Sequence, residues 1–149
     1  MPKDSDFAKI RNLNLDKPKK DKYDRLESDA SSLLKDASHA DVFIEAMCLG
    51  VKEGRRKPLD DPYPLINMNS LTEEQEWLIK ALGIAESGSV DILTQPRQIV
   101  KIAEEYANGG IELLFDRTYH GPGEYAKRLE EELRSLAKPH QSSKAPTTE

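Results

Sequence analysis

The stretch DVFIEAMCLGVKEGRRKPL, Asp41 to Leu59, decides how this chain folds. From Val42 to Val51 only Glu45 is charged, so a helix over these residues is apolar around most of its circumference and belongs at the centre of a fold. Ser38 is placed to cap that helix, and Asp41 favours its electropositive N-terminal end. Gly54 offers a left-handed stop, and Pro58 forbids continuation. Between those two signals lie Arg55, Arg56 and Lys57, a concentration of positive charge in a protein that is acidic overall.

Upstream, Tyr23 to Ala37 sets Leu26, Ala30, Leu33, Leu34 and Ala37 at spacings of three and four, the pattern of an amphipathic helix. Downstream, KPLDDPYPLINMNS (Lys57 to Ser70) contains three prolines and reads as an extended connection, pinned to the core by Leu65, Ile66 and Met68 as a short strand-like piece at most. Helix resumes after Thr72, where TEEQ fits a capping box with Gln75 reaching back. Trp77, Leu78, Ala81, Leu82 and Ala85 supply its apolar face, and Ser87, Gly88 and Ser89 end it.

Pro96 suits the first position of the next helix. Ile99, Ala103, Tyr106, Gly110 and Leu114 then recur at steps of three and four and carry it to about Phe115. Gly109 and Gly110 each cost about 1 kcal/mol relative to alanine inside a helix, so they demand either the close approach of another backbone or a break. A last helix follows the TYHGPG turn, with Tyr125, Leu129, Leu133 and Leu136 in one stripe and Glu124 with Arg128 and Glu130 with Arg134 as four-residue pairs. The expected fold is all-α: a single compact domain of about five helices over residues 23–137, with a proline-rich extended connection. Residues 1–22 read as a mobile basic arm, in which Phe7, Ile10 and Leu13 offer one helical turn to a partner, and residues 138–149 as a disordered tail.

The charge balance is uneven. The chain carries a net charge of −5 over 149 residues, yet residues 1–22 hold seven Lys or Arg against four Asp, leaving −8 for the remainder. The global charge opposes non-specific binding to nucleic acid, while the arm and the GRRK cluster favour a local contact. No apolar run is long enough to cross a bilayer, and the first twenty residues lack the apolar segment of a signal peptide. The single Cys48 has no intrachain partner for a disulfide, so a cytoplasmic location is expected.

Catalytic chemistry finds little support. His39, His120 and His140 are far apart and lack a second ligand at metal spacing. Cys48 sits among Met47, Leu49 and Val51, where burial would raise its pKa and suppress thiolate, so it reads as a core residue. The adjacent acids Asp60–Asp61, Glu73–Glu74 and Glu104–Glu105 diverge around their helices or turns, and no GK[ST] follows the glycines. No catalytic residue, metal or cofactor is expected.

Two constellations have direction. Lys52, Arg55, Arg56 and Lys57 form the candidate nucleic-acid contact, because arginines in a turn can grip phosphate oxygens bidentately. The same cations also complement a helix C-terminus and pair with acids such as Asp60 and Asp61. In EEYANGGIELL, Glu104 to Leu114, the set Tyr106, Asn108, Gly109 and Gly110 offers either a partner surface or a crossing point between helices. The YHGPGEY turn could present Tyr119 and His120, though as a helix connector it needs no such role.

Together the blocks VFIEAMCLGVKEGRRKPL and EEYANGGIELL, about fifty residues apart, resemble the DNA phosphorothioation (dnd) system-associated protein 4 family over Asp41 to Leu114. The resemblance implies association with prokaryotic systems that place sulfur in the DNA backbone or restrict unmodified DNA. It transfers no catalytic residue and marks Arg55, Arg56, Asn108, Gly109 and Gly110 as surfaces to test. The expected role is a non-enzymatic accessory in antiviral defence, docking on protein subunits of a DNA-modification or restriction complex, with DNA as a possible second contact. The alternatives are a small DNA-binding transcriptional regulator, or a pure protein-interaction adaptor or antitoxin-like inhibitor with an acidic covering surface. Against the regulator, no helix has a polar face rich in Arg, Asn and Gln of the kind that enters a major groove. A metal-dependent nuclease with dispersed ligands ranks last.

Overall fold

Local capping signals set the boundaries of the two middle helices. The structure, a computed structural model, describes residues 9–30, 32–119 and 129–137. Helix α1 covers Lys20–Ser28, α2 His39–Glu53, α3 Glu73–Ser87 and α4 Pro96–Tyr119, and residues 129–137 are also helical. The Ser38 hydroxyl accepts the Asp41 N–H while the Asp41 carboxylate accepts the Ser38 N–H, so α2 begins with a reciprocal box. Thr72 and Gln75 make the same exchange at the start of α3. Gly54 ends α2 in the left-handed region at φ 67°.

Helix α1 departs from expectation: it begins at Lys20 and stops at Ser28, short of the predicted Ala37. Short polar side chains compete with the helical backbone here. The Ser28 hydroxyl donates to the Asp24 carbonyl, and the Ser32 hydroxyl accepts the Leu34 N–H. Asp36 takes φ 70°, and Leu33 faces solvent.

The fold is mostly α, and the all-α expectation is corrected by a small antiparallel sheet of β1 (Asn12–Asp16) and β2 (Pro62–Asn67). Leu13 and Leu15 alternate inward from β1 and are buried, so this part of the expected mobile arm belongs to the core. The expected proline-rich connection holds β2 and a 3₁₀ turn at Met68–Ser70. Leu13 pairs with Ile66 and Leu15 with Tyr63, which leaves Pro64 and Leu65 opposite Asn14 alone. A bulge admits Pro64 to the strand, because a residue without an N–H cannot serve a regular ladder. Residues 1–8, with Phe7, the tail 138–149, and Tyr125, Glu124, Arg128 and His120 lie outside the described residues.

The core forms where α2 lies against α4, with β1, α1 and α3 packed around them. Val42, Phe43, Ala46 and Met47 of α2 meet Ile99, Ala103, Ala107, Ile111 and Leu114 of α4 in one apolar cluster. Each fully buried large side chain contributes about 1.5–3 kcal/mol. Among the described residues, no helix is long and apolar enough to cross a membrane.

Helix α3 is rotated relative to its sequence stripe. Its buried residues are Ile79 and Gly83, whereas Trp77 is 56% exposed, Leu78 46%, and Ala81 and Ala85 also face solvent. Gly83 explains the choice: without a Cβ it lets the helix settle on Ile99 of α4, whose Cγ1 lies 3.0 Å from where that Cβ would be. The face holding Gly83 therefore packs inward, and the larger apolar row turns out.

Candidate functional site

The two sequence blocks meet at the α2–α4 crossing. A Cβ on Gly110 would lie 1.7 Å from the Ala46 carbonyl oxygen, and one on Gly50 would lie 2.1 Å from that of Tyr106. The helices are in backbone contact there, and α4 runs unbroken through the glycine pair. Of the two explanations for Gly109 and Gly110, close approach holds.

Beyond Gly54 the chain leaves α2 and runs extended along α4. The Arg55 N–H donates to the Gly50 carbonyl at 2.8 Å and the Lys57 N–H to the Glu105 carbonyl at 3.0 Å. The Arg55 carbonyl fits over Gly109, 2.3 Å from the site of a Cβ. Asn108 Nδ2 then donates to the Lys57 and Pro58 carbonyls at 3.2 and 3.1 Å, fastening the segment. Asn108 is buried and its Oδ1 has no partner among the described residues, a cost of about 1–3 kcal/mol that the strap must offset.

The cations of the cluster have different surroundings. Arg56 Nε donates to Glu105 at 2.8 Å and its Nη1 to Glu86 at 3.1 Å, beside the Tyr106 ring. The Glu105 hydrogen bond raises the pKa of the Arg56 guanidinium. Lys57 Nζ reaches Glu112 at 3.1 Å, and Lys19 Nζ bonds both Glu112 and the Asn108 carbonyl. Burial works to raise Glu112, but hydrogen bonds and charge from Lys57 and Lys19 outweigh it and hold the carboxyl below its ordinary value. Lys52 pairs with Glu132 of the 129–137 helix, which Arg117 also bridges. Arg55 is exposed and makes no ion pair among the described residues.

Lys52, Arg55, Arg56 and Lys57 thus gather near one helix end, and three of the four are engaged by carboxylates of their own chain. Asn108, Gly109 and Gly110, marked from sequence as a partner surface, are buried, and Tyr106 is half-buried with its phenol pushed up by burial and by Glu86. Glu86, Glu105, Glu112 and Lys19 were missed as site residues. A signal existed for two of them: Glu105, Asn108 and Glu112 recur at three and four and share one face of α4.

Two further groups bear on chemistry. Cys48, expected in the core, lies exposed on the outer side of α2; partial desolvation of its thiol by neighbouring side chains, with the charge of Glu45 adding to it, still pushes its pKa up and disfavours thiolate. Glu104 accepts the Asn14 N–H at 2.6 Å, and burial pushes its carboxyl up to about 7. Among the described residues, no group of three or more His, Cys, Asp or Glu could hold a metal ion.

Residues 17–148 match the family described as DNA sulphur modification system-associated protein 4. The chain belongs to this family. Its match includes the α2–α4 crossing and the GRRK strap, and extends beyond the two blocks on both sides. No curated protein and no solved structure matches the chain. Membership links the chain to a DNA sulphur modification system.

Within the strap, Arg56 is the member whose loss should be felt. Arg56→Ala strands Glu105, whose side chain is largely buried, and is expected to destabilise the fold by about 1–2 kcal/mol after allowance for the partial exposure of the arginine. Arg55→Ala should change stability by less than about 0.5 kcal/mol. Urea midpoints for the two variants check this, and equal midpoints would refute the distinction.

Proposed function

We propose that this protein is a non-enzymatic accessory of a DNA sulphur modification system, docking by protein contacts on a larger DNA-processing complex, with the GRRK stretch acting as a structural latch. One observation carries the reading: Arg56 and Lys57 are held by Glu105, Glu86 and Glu112, and Lys52 by Glu132. Cations already neutralised at close range gain little from phosphates, because binding would have to break those pairs before counterions were released. An acidic chain of net charge −5 suits a basic protein surface better than a polyanion.

Co-expression with the other proteins of such a system, followed by purification with and without nuclease, tests the reading. The complex is expected to survive nuclease in the same yield. Its loss on nuclease treatment would mean that DNA, rather than protein contact, holds it together.

Direct DNA contact keeps one specific support, the exposed Arg55, which has no ion-pair partner among the described residues. A single arginine predicts at most weak binding with a shallow salt dependence. If a mobility shift appears at low salt and disappears in Arg55→Ala, this second reading takes precedence.

A further inference from the structure

Helix α3 presents an apolar row that the other described residues leave exposed. Trp77, Leu78, Ala81 and Ala85 fall on the side opposite Ile79 and Gly83, over about two turns. Isolated apolar residues on a surface are ordinary, but a contiguous row that opens on an exposed tryptophan matches the aromatic enrichment of binding hot spots. Ala81 and Ala85 leave a shallow track beside the two large side chains, into which the ridge of another helix can pack closely. Lys80 covers one side of Trp77, with its ammonium 4.7 Å from the ring centroid.

The charge around the row states what can approach. Glu73 and Glu74 are exposed, each one turn ahead of Trp77 and Leu78, and neither pairs with a described cation. Residues 72–91 carry five carboxylates against Lys80 alone, so this short segment holds −4 of the chain's −5. Acids in a first turn also complement the helix dipole, which accounts for Glu73 and Glu74 by themselves. The dipole gives no reason for the tryptophan and leucine that follow.

We propose that the outward face of α3 docks an amphipathic helix of a partner protein, one whose apolar stripe is flanked by Lys or Arg at the end that meets Glu73 and Glu74. This inference rests on the docking reading and names its surface and the chemistry of its occupant. A second copy of the same face is disfavoured by the charge it would oppose to itself.

Trp77 is the only tryptophan, so its fluorescence reports the site directly. The probes are two amphipathic helical peptides of about 18 residues, one of leucine and lysine, the other of leucine and glutamate. The lysine peptide is expected to shift Trp77 emission to the blue with saturation, and the glutamate peptide to bind at least about tenfold more weakly. Ala81→Arg should weaken the lysine peptide by about tenfold with an unchanged melting curve, since the position is exposed. The double change Glu73→Lys and Glu74→Lys should invert the preference. Equal binding of both peptides, or a blue shift that grows with protein concentration alone, overturns the proposal in favour of indiscriminate adhesion or self-association.

The native complex separates the two levels. If the protein co-purifies with the proteins of its system and Ala81→Arg abolishes this, both readings stand. Co-purification untouched by Ala81→Arg refutes the α3 surface alone, and failure of the unaltered protein to co-purify refutes the docking reading with it.

Discussion

Gly110→Ala is expected to destabilise the protein by about 3–5 kcal/mol, enough to unfold much of a population whose total stability is of order 5–15 kcal/mol. The added methyl would lie 1.7 Å from the Ala46 carbonyl oxygen, 2.7 Å from its carbon and 2.8 Å from the Gly50 nitrogen. All three are backbone atoms of α2, so no rotamer change relieves the contact and the two central helices must separate. Parting them opens the cluster that holds Val42, Phe43 and Met47 against Ile111 and Leu114. Gly54→Ala provides the contrast: nothing lies within 4 Å of its Cβ, and the cost is only that of an alanine at φ 67°, about 1–2 kcal/mol. Urea denaturation followed by circular dichroism would order the two variants, and a Gly110→Ala midpoint at or above that of Gly54→Ala would contradict the crossing geometry.

That crossing was half legible in the sequence. A glycine pair inside a helical pattern signals either contact or breakage, and the apolar girth of Val42 to Val51 signals a central helix, yet only the fold brings Gly50 to Tyr106 and Gly110 to Ala46. Capping was more readable, because Ser38 with Asp41 and Thr72 with Gln75 depend on residues three positions apart. Strand β1 was missed although Asn12, Leu13, Asn14 and Leu15 alternate, because the surrounding lysines and aspartates made the segment look like a solvated arm. Its partner β2 lies near residue 65, and pairing over such a separation leaves no local trace. The orientation of α3 was misread for another reason: hydrophobic periodicity ranks faces by side-chain size, and Gly83 counts for nothing on that scale while fixing which face can approach α4. The cations of GRRK were found by composition, but their neutralisation was not, since Glu86, Glu105 and Glu112 lie 30 to 55 residues away.

Glu104→Gln should stabilise the protein at pH 8 and leave it unchanged near pH 4. Burial is the main cause that pushes the Glu104 carboxyl from its ordinary 4.5 up to about 7; the Asn14 N–H works the other way, and the charge on Glu105 adds to the rise. A folded-state value above the unfolded one means that the native protein binds more protons between the two, so stability falls as pH rises. The favourable contribution is complete below pH 4.5 and is lost by the time pH has passed 7. The full shift corresponds to roughly 3 kcal/mol, and partial access of solvent to the carboxyl reduces the expected difference to about 2 kcal/mol. Glutamine keeps an oxygen for the Asn14 N–H, which the β bulge leaves facing α4, while carrying no charge to desolvate. Other carboxylates titrate in both proteins, so the informative quantity is the difference between their urea stabilities from pH 4 to 8, and two parallel profiles would refute the assignment. A Glu104→Ala variant separates charge from hydrogen bonding: it also removes the desolvated charge, yet strands the Asn14 N–H, and should therefore be less stable than the glutamine variant at every pH by about 1–3 kcal/mol. Because that N–H belongs to β1, the difference measures how firmly α4 holds the edge of the sheet.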